Sequence, residues 1–156
     1  MKKVYILLAI AGILIIGWFV ESLFHGDERR VAATVHGLAQ AVEREDPEAW
    51  SSFLSPEFSY DSRVSWLGKG DLETARRRMG DFWRSSKQIA VLIRDSEFEV
   101  AGRQARVSIK GNLKFQSSET GALAIYKFRA TLQLADLGEV WKISRVEVLE
   151  LAPGLF

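Results

Sequence analysis

The feature that most constrains the fold of this chain is a strict alternation of residue type between residues 105 and 134. From Ala105 to Phe115, apolar residues or glycine occupy every second position and polar residues occupy the positions between them. The same pattern returns from Tyr126 to Leu134. Successive side chains of a β-strand point to opposite faces, so each segment predicts a strand with one buried face. A cluster of turn residues, Ser117–Gly121, separates the two strands.

The two flanking segments each contain one change of register. Within residues 89–100 the apolar residues move from odd to even positions after Ile93, and within residues 141–148 they do so near Ser144. One extra residue restores the alternation, so each change predicts a β-bulge. Because bulges twist and bend a sheet, residues 89–151 predict a curled antiparallel sheet.

Helical spacing and capping residues precede this sheet. An apolar stripe from Val31 to Val42 predicts a first helix over about residues 28–45. Asp46 stops that helix and can cap a second one, with Pro47 at its first position. The pair Ser55-Pro56 ends the second helix.

A short strand and a third helix complete the predicted order. Phe58 and Tyr60 face one side of a strand over residues 58–60. After a loop, Asp71 can cap a third helix. Its apolar side is predicted to contain Leu72, Ala75, Met79, Phe82 and Trp83.

The N-terminal segment predicts a membrane anchor. Residues 4–20 carry no charge and follow Lys2 and Lys3, and with Leu23 and Phe24 they approach the roughly 20 residues that span a bilayer. A cleaved signal peptide is the alternative, but its apolar part is shorter and ends at small residues. The two lysines favour a cytoplasmic N-terminus and an extracytoplasmic domain, which is periplasmic if the organism is bacterial.

These segments divide the chain into four parts. Residues 1–24 are predicted to form the transmembrane signal anchor, 25–30 a short connector, 31–152 the folded domain and 153–156 a C-terminal tail.

Composition excludes several classes of function. The chain has no cysteine, which excludes disulfides, thiolate metal sites and a cysteine nucleophile. Without Lys2, Lys3 and Glu21, the 21 basic and 20 acidic residues become 19 of each, so a nucleic-acid partner is not expected. His25 and His36 do not have metal-ligand spacing. The sequence contains no phosphate loop, and neither a metal nor a cofactor is expected.

The order of elements resembles the NTF2-like family, also described as the SnoaL-like or cystatin-like cone. The resemblance rests on Val35–Val42, Glu45–Trp50, Ser55–Tyr60 and Glu139–Val146, and it covers about residues 28–151. It implies an α+β cone of three N-terminal helices packed on a curved antiparallel sheet. The family contains isomerases, dehydratases and epoxide hydrolases as well as non-catalytic binding and assembly domains, often dimeric, so it does not imply one activity.

In such a cone, the inner sheet face and the first helix would enclose a pocket. An apolar ligand site is one interpretation of its aromatic residues, and a filled core is the other. His36 flanks the stripe of the first helix, where it is either a pocket residue or a boundary residue. The candidate lining residues are His36, Tyr60, Trp66, Phe82, Trp83, Phe115, Tyr126 and Trp141.

Two groups of charged residues also have alternative interpretations. Asp61 adjoins Tyr60 and could act as a base, but neighbours on a strand point to opposite sides, so Asp61 is expected to face outward. The one basic concentration could bind anionic headgroups or an acidic partner, or it could be a solvated helix face. It consists of Arg76, Arg77, Arg78, Arg84 and Lys87.

The sequence therefore predicts a membrane-anchored, non-enzymatic domain that binds another protein or its own copy, as an accessory or assembly subunit of a membrane complex. The alternative is a domain that binds an apolar small molecule, or an isomerase- or dehydratase-like enzyme, using the cone.

Overall fold

The computed structural model of the protein describes residues 26–154. Its helices are α1 at residues 26–43, α2 at Pro47–Ser52 and α3 at Leu72–Ser85. Residues 26–30, which the sequence suggested as a connector, already belong to α1. The predicted anchor lies outside the described residues. Within residues 26–154, no helix combines the length and the apolar character needed to cross a membrane.

Both predicted helix caps are confirmed. The Asp46 carboxylate accepts a hydrogen bond from the Ala49 N–H at 3.0 Å and caps α2, which begins with Pro47. The Asp71 carboxylate accepts one from the Thr74 N–H at 2.9 Å and caps α3. These side chains satisfy N–H groups that have no partner inside their own helices.

Six strands form one sheet in the order β2-β1-β6-β5-β4-β3. The predicted antiparallel sheet is wrong in one respect, because β1 pairs with β6 in parallel, and the sheet is therefore mixed. Antiparallel pairing holds the other neighbours together. The strands are β1 Leu54–Ser62, β2 Gly70–Asp71, β3 Ser86–Ala101, β4 Gln104–Ser117, β5 Leu123–Asp136 and β6 Trp141–Pro153.

The first strand is longer than predicted and begins before Pro56. The pair Ser55-Pro56 was predicted to end the second helix, but α2 ends at Ser52. Proline has no N–H for a strand ladder. In the structure, Pro56 lies in the irregular part of the β1–β6 pairing, between Leu54 and Ser59. A proline at this point therefore interrupts no regular pair.

Both predicted bulges are confirmed. The β3–β4 register shifts around Arg94, and the β5–β6 register shifts around Ser144. Two further shifts, at residues 88–89 and at Leu149, were not predicted. Gln88 has a φ of 52°, a left-handed conformation that its residue type does not signal.

The core lies between the helices and the inner face of the sheet, a space called the cone below. Helix α1 is tied to the start of β6, because the Thr34 hydroxyl donates to the Trp141 carbonyl at 3.2 Å. Apolar side chains from every layer meet here, including Val31, Val35, Trp50, Leu54, Phe58, Val107, Leu132, Leu134, Trp141 and Ile143.

Candidate ligand-binding site

An apolar pocket of about 380 Å³ lies at the open end of the cone. It is bounded by the end of α1, by α3, by the loop after β1 and by the inner faces of β4, β5 and β6. We call it the mouth pocket. Its ten lining residues are Val42, Trp66, Leu67, Arg78, Met79, Phe82, Leu113, Phe115, Tyr126 and Leu151.

Three aromatic rings form one wall of the mouth pocket. Phe82 on α3 meets Phe115 on β4 edge to face, with ring centroids 5.1 Å apart. Phe115 stacks in turn on Tyr126 of β5, at 5.9 Å and with an interplanar angle of 3°. Leu113 is the direct partner of Tyr126, so Phe115 and Tyr126 are diagonal neighbours on the inner face. This wall offers flat apolar surface to a ligand.

Two residues at the rim have a different character. Trp66 lies in the loop after β1 and remains 64% exposed although it lines the pocket. Arg78 on α3 is exposed and is the only charged residue among the ten. The rim therefore offers one aromatic side chain and one cation above an apolar interior.

The structure brings four of the candidate aromatic residues together in the mouth pocket and places the others elsewhere. Trp66, Phe82, Phe115 and Tyr126 line it. His36 is not among its lining residues and is exposed on α1, so it does not face into the cone.

Tyr60, Trp83 and Trp141 belong to the packed interior rather than to the mouth pocket. Trp141 is 2% exposed and Tyr60 9%. The indole N–H of Trp83 donates to the carbonyl of Val42 at 3.1 Å, and its ring meets Trp50 edge to face. For these three residues the filled-core interpretation applies.

Asp61 is placed where it cannot serve the mouth pocket. It is not among the lining residues, and its carboxylate pairs with Arg145 at 3.9 Å, with about half of its side chain exposed. This agrees with the expectation that Asp61 points away from the side that Tyr60 faces.

Helix geometry divides the basic cluster, whose four arginines lie on α3 and whose Lys87 lies on β3. Arg76 pairs with Glu73 at 3.9 Å, and Arg84 pairs with Asp81. Arg77 and Lys87 are exposed outside the pocket. Only Arg78 reaches the mouth pocket, four residues before Phe82 and therefore on the same side of the helix.

Six lining residues were not among the sequence candidates for a pocket. Val42 and Met79 lie on predicted apolar helix faces, and Leu113 lies on the predicted inner face of its strand, so the sequence indicates their direction but not their position at a cavity. In the sequence, nothing distinguishes Arg78 from its basic neighbours. Leu67 and Leu151 carried no distinct signal.

Within residues 26–154, no group of three or more His, Asp or Glu residues could hold a metal ion.

Solved structures of similar shape support the fold. An NTF2-like superfamily protein from Salmonella enterica has a TM-score of 0.69 at 14% identity, covering 81% of this chain and 91% of that one. A proposed dehydratase of the NTF2-like family from Streptomyces avermitilis has a TM-score of 0.73 at 18% identity, with coverages of 85% and 99%. A protein of unknown function with a cystatin-like fold from Nostoc punctiforme has a TM-score of 0.65 at 11% identity, with coverages of 83% and 93%.

These likenesses show that the chain has the NTF2-like, cystatin-like α+β fold, with N-terminal helices packed on a six-stranded mixed sheet. At such low identities they show the fold alone. No protein-family model matches the sequence, and no curated protein matches it either.

Proposed function

We propose that this protein is a non-enzymatic NTF2-like binding domain, that its N-terminal segment holds it at a membrane, and that the mouth pocket is its binding site. The observation that carries the proposal is the chemistry of the pocket wall. Among its ten residues, none is a carboxylate or a histidine. General acid–base catalysis most often uses one of these groups within hydrogen-bond reach of the substrate, and the only other proton-transfer group that this wall offers is the Tyr126 phenol. The wall is suited to apolar contact.

The occupant that fits this geometry best is an apolar small molecule. The volume of about 380 Å³ falls in the lower part of the range of about 300–1,000 Å³ that is usual for ligand pockets. A concave apolar site with few polar groups is also the common form of such pockets. The dehydratase chemistry proposed for one structural neighbour would need a base, and this wall supplies neither a carboxylate nor a histidine for that role.

A protein partner or a second copy of the chain is the second candidate. Trp66 favours it, because a tryptophan that is 64% exposed at the rim of an apolar pocket resembles the aromatic anchors of protein interfaces. In that case the pocket would accept side chains from the partner.

The test compares the full chain with two exposed-residue variants after extraction in polymer nanodiscs from its own membrane, avoiding detergent that could fill the pocket. Trp66→Ala changes the rim, and Leu92→Ala changes a residue that is 56% exposed away from it. Native mass spectrometry is then used on each particle. We expect a reproducible small extra mass on the wild type and on Leu92→Ala that is reduced on Trp66→Ala.

Other results would change the proposal in distinct ways. A second protein or a second copy in fixed ratio, lost in Trp66→Ala, would replace the small molecule by the second candidate. A bound molecule that is chemically altered on incubation would contradict the non-enzymatic role. Release of the chain from membranes by alkaline carbonate would contradict the anchor.

A further inference from the structure

Arg78 is a cation that no carboxylate neutralises within the described structure. Between residues 26 and 154, no carboxylate oxygen lies within 4.0 Å of its guanidinium group, whereas its neighbours Arg76 and Arg84 each have an acidic partner one helical turn away. Among these described residues the guanidinium therefore has no acidic partner, and it lies at the rim of the mouth pocket.

The surroundings of Arg78 combine this cation with apolar depth. Phe82 lies one turn further along α3, and its ring joins the aromatic wall through Phe115. Met79 and Leu113 add aliphatic surface. The half-buried Tyr126 adds a phenol, whose O–H can donate a hydrogen bond. A ligand lying in this pocket would meet apolar side chains along its length and a cation at one end.

We propose that the mouth pocket binds an amphipathic anion, with a single apolar chain along the aromatic wall and an anionic head at Arg78. The guanidinium presents parallel N–H groups that match a carboxylate or a phosphate ester. Trp66 at the rim would cover the part of the chain nearest the head. This inference rests on the proposed function, because it names the ligand class of that same site.

The test is isothermal titration calorimetry on the full chain in nanodiscs of phosphatidylcholine, with empty nanodiscs as the blank. Decanoate and decyl phosphate are the anionic probes, and decanol carries the same chain without charge. Arg78→Gln removes the cation at the rim. Arg77→Gln is the matched control, since it removes an exposed arginine from the preceding position of α3, outside the pocket.

We expect the anions to bind more tightly than decanol. Arg78→Gln should weaken the binding of at least one anion by roughly three- to tenfold, the range for a partly screened charge-assisted contact. It should leave decanol unchanged, and Arg77→Gln should leave all three probes unchanged. Added salt should weaken the anions on the wild type and have less effect on Arg78→Gln. The anion whose affinity falls in Arg78→Gln identifies the head group as a carboxylate or a phosphate.

Three results would overturn the inference, and they can be told apart. If decanol binds as tightly as the anions and Arg78→Gln changes nothing, the ligand is not an anion, but the pocket still binds apolar chains. If none of the three probes binds, both the small-molecule function and the ligand class are wrong. An equal loss of anion binding in Arg77→Gln would show a general attraction to α3 and would also overturn the assignment to Arg78.

Discussion

The indole N–H of Trp83 on α3 donates a hydrogen bond to the backbone carbonyl of Val42, over 3.1 Å, in the last turn of α1. Val42 lines the mouth pocket, and Trp83 packs against Trp50 of α2, with ring centroids 6.2 Å apart. One side chain therefore connects all three helices beside the pocket.

Trp83→Phe tests this connection. The variant keeps an aromatic ring but removes the donor, so we expect the free energy of unfolding to fall by about 1–2 kcal/mol, from the lost hydrogen bond and the smaller buried ring. Urea unfolding of the full chain in nanodiscs measures it. Trp66→Phe is the control, because Trp66 is mostly exposed and should unfold as the wild type does. Equal stability of Trp83→Phe and wild type would contradict the role given to this bond.

Two glycines should respond to alanine in opposite ways. A Cβ at Gly111 would come within 2.7 Å of the Phe128 ring and would also meet the Leu92 carbonyl, so Gly111→Ala should destabilise the fold by about 1–3 kcal/mol through overpacking. At Gly80, inside α3, a Cβ would meet only Arg84, at 3.7 Å. Gly80→Ala should therefore stabilise by about 0.5–1 kcal/mol. Thermal unfolding of both variants measures the direction of each change in stability. A change in the same direction for both would contradict the packing described.

Acid should destabilise α3 through Asp71. Hydrogen bonds from the backbone and side chain of Thr74 hold the pKa of the Asp71 carboxyl below its ordinary value of 3.8. A group with a lowered folded-state pKa contributes stability above its unfolded pKa, and this is lost as pH falls through the folded value. Below about pH 4, Asp71→Asn should lose less stability than the wild type. Melting temperatures from pH 2 to 6 test this, and parallel curves would contradict it.

Tyr60→Phe should leave both stability and binding intact. The Tyr60 hydroxyl is buried and has no hydrogen-bond partner among the described residues. Replacing an unpaired buried hydroxyl by hydrogen is expected to be neutral or to stabilise by up to about 1 kcal/mol. Because Tyr60 does not line the mouth pocket, decanoate affinity should not change. A weaker decanoate affinity in a folded Tyr60→Phe variant would show that Tyr60 contributes to the binding site after all.

Local signals in the sequence were sufficient to predict most of the architecture. Alternation identified the inner face of β4 and β5, and changes of parity located the bulges at Arg94 and Ser144. Asp46 and Asp71 marked the starts of two helices. These features depend only on residues a few positions apart, so they can be predicted from a single sequence.

The parallel pairing of β1 with β6 could not be predicted in the same way. It joins residues more than eighty positions apart, and strand alternation reads the same for parallel and antiparallel partners. Pro56 also masked the start of β1, because its tolerance depends on an irregularity in the pairing with a distant strand.

For the binding site, the sequence by itself determined which side chains point inward, because strand and helix periodicity set direction. Only the tertiary structure decided whether an inward side chain is fully buried or lies beside a cavity. Trp141 and Phe115 both occupy inward positions, at opposite ends of one sheet, and the helices cover the first but leave the second beside a cavity. The same packing separated Arg78 from the other arginines of α3. Whether an inward residue fills the core or lines a pocket depends on which distant elements reach it, and that is a property of the assembled fold.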